Sequence, residues 1–236
     1  MEKIKQNPFV KKVGFNRIVL CCVLLLMYGL FCALTGGSFA GMNRIMSALN
    51  YAYFLGFLSL GVTFVIATGQ IDFSIGPVMF CCALISGYTL TTHGISMPVA
   101  ILISILVGFA FGLFNGYLVA YWSVPSFITS MASMNIAKGL ASVYTKTQSV
   151  SWPQSSDPHR RWFRNLVTYN GFPVGLVILL VVAVVCAIIL NKTRIGRYIL
   201  CLGSNKEAVR LSGVDVKKWE MLAFIICGVL VGMGAI

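Results

Sequence analysis

The chain contains 236 residues, of which 58% are hydrophobic and 10% are charged. Soluble domains carry about 25% charged residues, so the composition excludes an ordinary soluble domain and indicates a membrane protein. The formal net charge of +12 does not indicate nucleic-acid binding, because the basic residues gather beside apolar segments. That distribution is typical of the cytoplasmic side of membrane proteins.

Apolar runs recur along the chain at the length that a membrane span requires, since the hydrocarbon core needs about 20 apolar residues per helix. The runs cover residues 18–34, 51–68, 75–92, 98–121, 126–145, 173–190 and 219–236. They lack the alternation of polar and apolar residues that transmembrane β-strands show. We therefore predict an all-α, polytopic membrane protein with about seven transmembrane helices.

The basic residues predict the orientation. They gather before the first run and between the sixth and the seventh, and an even number of crossings lets both clusters face the cytoplasm. We predict a cytoplasmic N-terminus at 1–17, one transmembrane domain at 18–236, a cytoplasmic loop at 191–218 and an outer loop at 146–172. A cleavable signal peptide is the alternative for the first run, but that run exceeds the usual signal-peptide core of about 7–15 residues.

The outer loop contains its own helix signals. Asp157 precedes Pro158, an order typical of a helix start. The residues that follow separate into an aromatic, apolar face and a face of three arginines. This pattern predicts a short helix that lies either in the membrane interface or on the protein's own outer surface.

The sequence contains no recognisable catalytic or metal-binding motif. Its two histidines, His93 and His159, fall in predicted loops, and its eight cysteines show no C-x-x-C spacing, so we interpret the cysteines as packing residues. No metalloprotease, nucleophile-elbow or Walker motif occurs. We predict a protein that is not an enzyme and has no cofactor of its own, so any ATP that drives it is bound by another chain.

The stretch GQIDFSIGP (69–77) carries Asp72 between two apolar runs. Gly69 is suited to end the second helix. With Ser74 as the N-cap of the third, Pro77 falls in the first turn, where its missing N–H has no partner to lose. Two interpretations remain: a connecting turn at the cytoplasmic interface, or a broken segment that lines a solute path in the protein interior.

Glycines are spaced for close helix packing in two of the predicted spans. Gly108, Gly112 and Gly116 recur every fourth residue in the fourth span, and Gly228 and Gly232 repeat the spacing in the last. Such ridges of small residues allow helices in a membrane to approach closely. We assign these five glycines to helix packing.

The cytoplasmic loop includes the segment GSNKEAVRLSG (203–213). Ser204 and Glu207 have the spacing of a capping box, and Gly213 is suited to end the helix that they begin. A helix this short is marginal alone in water. Its small apolar surface, which includes Val209 and Leu211, is predicted to dock on a cytoplasmic partner or to rest on lipid headgroups.

Three stretches carry a family resemblance. GQIDFSIG (69–76) is similar to the motif GGIDLSVG, with Gln70 in place of the second glycine. FNGYLVAYWSVPSFITSM (114–131) and TRIGRYILCLGSNKEAVRLSGVDV (193–216) resemble two further motifs in the same order. Together they resemble the membrane-spanning permeases of bacterial ABC importers for ribose, xylose, arabinose, galactose and related solutes.

The resemblance implies a role for each group of residues. Residues of the cytoplasmic motif would form a coupling helix that docks on an ATP-hydrolysing subunit: Gly203, Ser204, Asn205, Glu207, Ala208, Arg210, Leu211, Ser212 and Gly213. Candidates for the translocation path or gate are Asp72, Ser74, Asn115 and Pro125. Transport of a monosaccharide or similar small polar solute is the expected function.

The resemblance also implies an assembly in the bacterial inner membrane. The expected partners are an ATP-binding cassette subunit, an outer solute-binding protein, a second permease copy and membrane lipid. Members of the family continue through further spans beyond the position where this chain stops, so we expect it to be truncated at the C-terminus. The alternatives are a non-functional fragment and an ion-coupled secondary transporter that uses Asp72, Lys138 or Glu220.

Overall fold

The computed structural model describes residues 15–150, 152 and 174–236, with side chains from residue 19 onward. The basic N-terminus as far as residue 14 and the predicted outer helix after Asp157 lie outside these residues. Within them the helices are α1 (Phe15–Leu34), α2 (Met42–Ala67), α3 (Ile75–His93), α4 (Met97–Trp122), α5 (Ser126–Tyr144), α6 (Val174–Lys192), α7 (Arg194–Ser204), α8 (Lys206–Leu211) and α9 (Val216–Gly234). A short 3-10 helix, Ser38–Ala40, precedes α2.

Every predicted apolar run coincides largely with one of these helices, and the described residues form no strand. The all-α, polytopic fold is thereby confirmed. In the described part of the chain, four helices, α2, α3, α4 and α6, are long and apolar enough to cross a membrane by length and composition. The first two turns of α9 carry Lys217, Lys218 and Glu220, which lower the mean hydropathy of the helix although its later turns are apolar.

Helix ends follow the local turn chemistry. Gly69 has φ +81° and Gly94 has φ +63°, backbone conformations that glycine adopts without the strain of a Cβ atom. The Gly69 N–H donates to the carbonyl of Ile66. Glycines at these positions therefore end α2 and α3, as the sequence indicated for the first of them.

The chain divides into two compact units, residues 1–48 and 49–236. In the first, the rings of Tyr28 and Phe31 lie 5.7 Å and 5.6 Å from the ring of Phe39. These contacts pack the end of α1 against the 3-10 helix. The exposed apolar surface of α1 is typical of a helix that meets lipid or another helix.

The second unit is built around α9, which packs along α4 and also contacts α3, α7 and α8. Its core includes Cys81, Cys82 and Cys227, each at most 1% exposed. Every cysteine that the structure describes is a free thiol. The buried cysteines thus act as small apolar packing residues.

Helices α4 and α9 meet through the five glycines of the two ridges. A Cβ atom on Gly108 would collide with the carbonyl oxygen of Gly228, and one on Gly112 would lie 2.5 Å from the Phe224 carbonyl oxygen. Ser104 Oγ donates to the Gly232 carbonyl oxygen at 2.7 Å. The two backbones are therefore in direct contact, which explains why side chains are missing from this seam.

Helix α7 was not expected from the sequence, and its presence changes the start of α8. The predicted capping box is wrong. Ser204 ends α7, so its hydroxyl donates to the carbonyl oxygen of Leu200 within that helix. Asn205 is extended and caps α8 instead, because its Oδ1 accepts from the Ala208 N–H at 2.9 Å. Glu207 pairs with Arg210 rather than reaching back to residue 204.

Asn205→Ala should loosen α8. Loss of an N-cap side chain costs about 1 kcal/mol, so we expect hydrogen exchange of the Ala208 amide to accelerate by about fivefold. Ser204→Ala should change that exchange little, because the Ser204 hydroxyl bonds only within α7. Equal protection of the Ala208 amide in Asn205→Ala and the native chain would contradict the assignment of the cap.

Candidate functional site

The connection between α2 and α3, residues 68–74, turns the Asp72 carboxylate into the protein. Asp72 is 8% exposed. Its Oδ1 accepts from the Ser74 backbone N–H at 2.8 Å and from the Ser74 hydroxyl at 2.6 Å. Burial raises the pKa of the Asp72 carboxyl, and the hydrogen bonds from Ser74 act in the opposite direction.

Two further helices complete this group. Asn115 on α4 donates through Nδ2 to Ser74 Oγ at 3.0 Å. Ser133 on α5 donates through Oγ to Asn115 Oδ1. Ser74, Asn115 and Ser133 are each at most 2% exposed. We call Asp72, Ser74, Asn115 and Ser133 the Asp72 cluster; it links the connection to α3, α4 and α5 by polar contacts inside an apolar core.

Ser74 is the N-cap residue of α3 by position, as predicted, but its side chain bonds no N–H of that helix. The hydroxyl instead donates to Asp72 and accepts from Asn115. Pro77 lies in the first turn of α3, where its missing N–H is tolerated. Ser74 therefore acts as the junction between the carboxylate and the amide.

Pro125 lies outside the Asp72 cluster. It precedes α5 as an exposed residue. The next residue, Ser126, is buried, and its Oγ accepts from the Ile71 N–H at 3.2 Å. Ser126 and Ser133 are site residues that the sequence analysis missed, because a serine on a predicted helix carries no signal that distinguishes a tertiary contact from a local one.

The connection lies at the end of the helix bundle that also carries α7. A Cβ atom on Gly203, in the last turn of α7, would collide with the carbonyl oxygen of Ala67 at the end of α2. This contact places Asp72 close to the cytoplasmic loop of the sequence analysis. Residues 68–74 thus form a connecting turn whose carboxylate points into the protein.

Helix α8 presents only part of its predicted apolar surface. Val209 is buried against Leu202 and Val216, so it holds α8 to the protein. Leu211 is 77% exposed. A cleft of about 400 Å³ separates α7 from α8. It is lined by Leu200, Cys201, Ser204, Asn205, Ala208, Val209 and Ser212.

The exposed face of α8 also carries charge. Arg210 Nη2 lies 2.6 Å from Glu207 Oε1, and this hydrogen bond lowers the pKa of the Glu207 carboxyl. Both side chains of the ion pair are largely exposed, so the pair orients them more than it stabilises the helix. The face therefore combines one large apolar side chain with a fixed pair of opposite charges.

The three candidate ion-coupling residues are separated in the structure. Asp72 belongs to the cluster above, and the Glu220 carboxylate is held by Gln70 and Lys206. Lys138 is exposed on α5 and lines a different cleft of about 520 Å³, between α3 and the segment that follows α5. Among the described residues, no group of three His, Cys, Asp or Glu side chains is placed to hold a metal ion.

The chain is similar in sequence to permease proteins of known transport systems. A sequence model of the family described as the permease component of branched-chain amino acid transport systems matches residues 44–236. The fructose import permease protein FruF of Bifidobacterium longum is 29% identical, covering 99% of this chain and 68% of its own length.

Two further relatives are a xylose permease and a ribose permease. The xylose transport system permease protein XylH of Haemophilus influenzae is 24% identical, over 96% of this chain and 76% of its own length. The ribose import permease protein RbsC of Escherichia coli K12 is 30% identical, over 84% and 62%. The chain thus spans about two thirds of the length of these relatives. No solved structure matches the chain.

Proposed function

We infer the function from the family that residues 44–236 match, the permease components of transport systems, to which the chain belongs. It is a multi-pass membrane permease subunit of an ABC importer. We propose that its cargo is a monosaccharide or a similar small polar solute. The family description names amino acids, whereas the relatives described above are named for fructose, xylose and ribose. The relatives support a sugar.

The observation that carries the coupling role is the exposure of Leu211 at the tip of α8. The segment from Gly203 to Gly213 contacts the rest of the chain through Val209, through Gly203 against Ala67 and through the Lys206 side chain, which bonds Glu220. It leaves Leu211, Ala208, Glu207 and Arg210 facing outward. We assign these outward side chains to docking on an ATP-binding subunit, which hydrolyses the ATP that drives import.

We assign the Asp72 cluster to the gate of the translocation path. Its support is the position of Asp72 at the end of the bundle that carries α7 and α8, together with the hydrogen bonds by which the cluster as a whole joins α3, α4 and α5. Pro125 acts beside the cluster by fixing the start of α5, and so the position of Ser126. We assign the carboxylate a structural role in the gate, not that of a sugar ligand, because its Oδ1 accepts from both the backbone N–H and the hydroxyl of Ser74.

The rest of the proposed assembly is supported by the family to which the chain belongs. A solute-binding protein delivers the cargo, and a second permease copy completes the path within the lipid bilayer. The N-terminus and the loop at 191–218 face the cytoplasm, which agrees with the distribution of basic residues. That orientation places α8 on the side where ATP is available.

The test is affinity purification of the chain in mild detergent, with and without Leu211→Asp. We expect the native chain to retain an ATP-hydrolysing subunit and the variant to lose it, because a buried interface does not accept an unpaired carboxylate. Loss of a central contact costs about 2 kcal/mol or more, which corresponds to binding weaker by about 30-fold or more. Lys192→Asp is the control, since it places the same carboxylate at an exposed position at the end of α6.

Retention by the native chain and by Lys192→Asp, but not by Leu211→Asp, supports docking through α8. Equal retention by all three proteins would show that the subunit docks elsewhere. If the native chain retains no such subunit although it is folded in the membrane, the proposed function is wrong for this chain. Thermal unfolding of each variant in detergent separates loss of docking from loss of folding.

A further inference from the structure

Glu220 is a buried charged residue on α9 that the proposed function does not yet use. It lies in the second turn of the helix and is 2% exposed. In the part of the chain that the structure describes, Asp72 and Glu220 are the two buried carboxylates. A charge in this position is stable only when other groups compensate for it, so its partners indicate its role.

Two distant segments supply those partners. Lys206 Nζ donates to Glu220 Oε1 at 3.0 Å and to Oε2 at 2.8 Å. Gln70 Nε2 donates to Oε1 at 2.7 Å, across 150 residues of sequence. Lys206 is the first residue of α8, and Gln70 lies in the connection between α2 and α3. Glu220 therefore joins the proposed docking helix directly to the connection.

The connection is bonded to the protein interior immediately after Gln70. The Ile71 N–H donates to Ser126 Oγ, and Asp72 accepts from Ser74 within the Asp72 cluster. Because Gln70, Ile71 and Asp72 are consecutive, a displacement at Gln70 reaches α5 through Ser126 and α4 through the cluster. No unconstrained residue lies between the two sets of contacts.

Helix α8 has one ion pair to the membrane helices among the described residues, the pair between Lys206 and Glu220. Its apolar contact through Val209 involves Leu202 of α7 and Val216 at the start of α9. The Lys206 side chain is half-exposed and the Glu220 side chain is buried. The pair thus extends from the surface on which a partner would act into the interior.

We propose that Glu220 is a positioning residue that transmits movement of α8 to the Asp72 cluster through Lys206 and Gln70. This inference rests on the proposed function, because it requires an ATP-binding subunit that docks on α8. When nucleotide binding in that subunit shifts α8, Glu220 makes the connection follow. Coupling of this kind requires contacts that differ between two states. It is demonstrated when a change at α8 is shown to alter the connection that leads to the Asp72 cluster.

The experiment measures how accessible the connection between α2 and α3 is to a labelling reagent, and it requires no knowledge of the cargo. Ile71 is 53% exposed, so Ile71→Cys in a chain without its native cysteines reports movement through its rate of labelling by N-ethylmaleimide. The complex with the ATP-binding subunit is labelled without nucleotide and with ATP plus vanadate. We expect nucleotide to change the rate by about fivefold or more, the lower end of typical coupling between sites.

Glu220→Gln keeps the shape of the side chain and removes the charge that binds Lys206. We expect this variant, Lys206→Met and Gln70→Ala to retain the ATP-binding subunit but to lose the nucleotide-dependent change in labelling. Lys206→Arg restores a cation at the same position and should restore the change. Lys192→Met, which removes an exposed lysine at the end of α6, should behave as the native chain.

Each contrary result has a separate meaning. Nucleotide-dependent labelling that persists in Glu220→Gln and Lys206→Met, or that is absent from the native complex, overturns the proposal. Variants that lose the subunit while the native chain retains it would show that the contact serves docking instead, which also overturns transmission. A native chain that retains no subunit refutes the proposed function, and this inference with it. Lys206→Met changes a half-exposed residue, so it provides the test if Glu220→Gln fails to fold.

Discussion

Gly228→Leu should prevent α4 and α9 from packing, and we expect little folded protein to accumulate. A Cβ atom on Gly228 would collide with the carbonyl oxygen of Gly108 and lie 2.9 Å from the Cα atom of Gly112. These are backbone atoms, which cannot move aside as the end of a side chain can. Overpacking costs about 1–3 kcal/mol in ordinary cores, and here the two helices must separate along their whole seam.

The matched control is Gly139→Leu on α5. A Cβ atom on Gly139 meets nothing within 4 Å in this chain, and leucine has a higher helix propensity than glycine. We expect Gly139→Leu to have the yield and melting temperature of the native chain in detergent, and Gly228→Leu to have a lower value of both. Equal melting temperatures for the two variants would show that the contact between α4 and α9 contributes little to folding.

Asp72→Leu should disrupt the Asp72 cluster and remove transport. The change leaves the Ser74 N–H and hydroxyl without the oxygen that accepts from both. An unsatisfied buried polar group costs about 1–3 kcal/mol, so the expected loss of stability is about 2 kcal/mol or more. Asp215→Leu is the control, because Asp215 is an exposed N-cap that accepts one bond, from the Lys218 N–H, and its loss should cost about 1 kcal/mol.

Asp72→Asn separates the structural role of this residue from its charge. The asparagine oxygen can still accept from Ser74, so we expect near-native stability in detergent. If the charge contributes to the gate, uptake of labelled ribose, xylose or fructose by reconstituted vesicles should fall although the chain is folded. Native uptake together with normal expression would remove the Asp72 charge from the gate and leave the residue a purely structural role.

Much of the fold was predictable because its signals are local. The apolar runs identified the seven long helices, and Gly69 marked the end of α2 through the positive φ that glycine allows. Sequence spacing also identified both glycine ridges, since residues four apart share a helix face. Local signals failed at α8, where Ser204 has the spacing of a cap but belongs to the preceding helix.

The polar contacts of the candidate site were not predictable in the same way. Ser86 and Ser133 are both buried serines within helices, yet Ser86 donates to the carbonyl oxygen four residues earlier and Ser133 donates to Asn115 on another helix. Their immediate sequences do not distinguish the two outcomes. Only the arrangement of α4 and α5 determines which acceptor lies within reach.

Sequence signals were sufficient to identify a helical, polytopic membrane permease and to predict a short helix in the charged loop before the last span, which the structure has at Lys206–Leu211. The reason is that hydrophobic length, helix periodicity and turn chemistry act over a few residues. Tertiary structure alone determined that Asp72 meets Asn115 and that Glu220 joins Gln70 to Lys206. Those contacts depend on how helices distant in sequence pack. A buried carboxylate bonds to the polar groups that this packing brings within hydrogen-bonding distance.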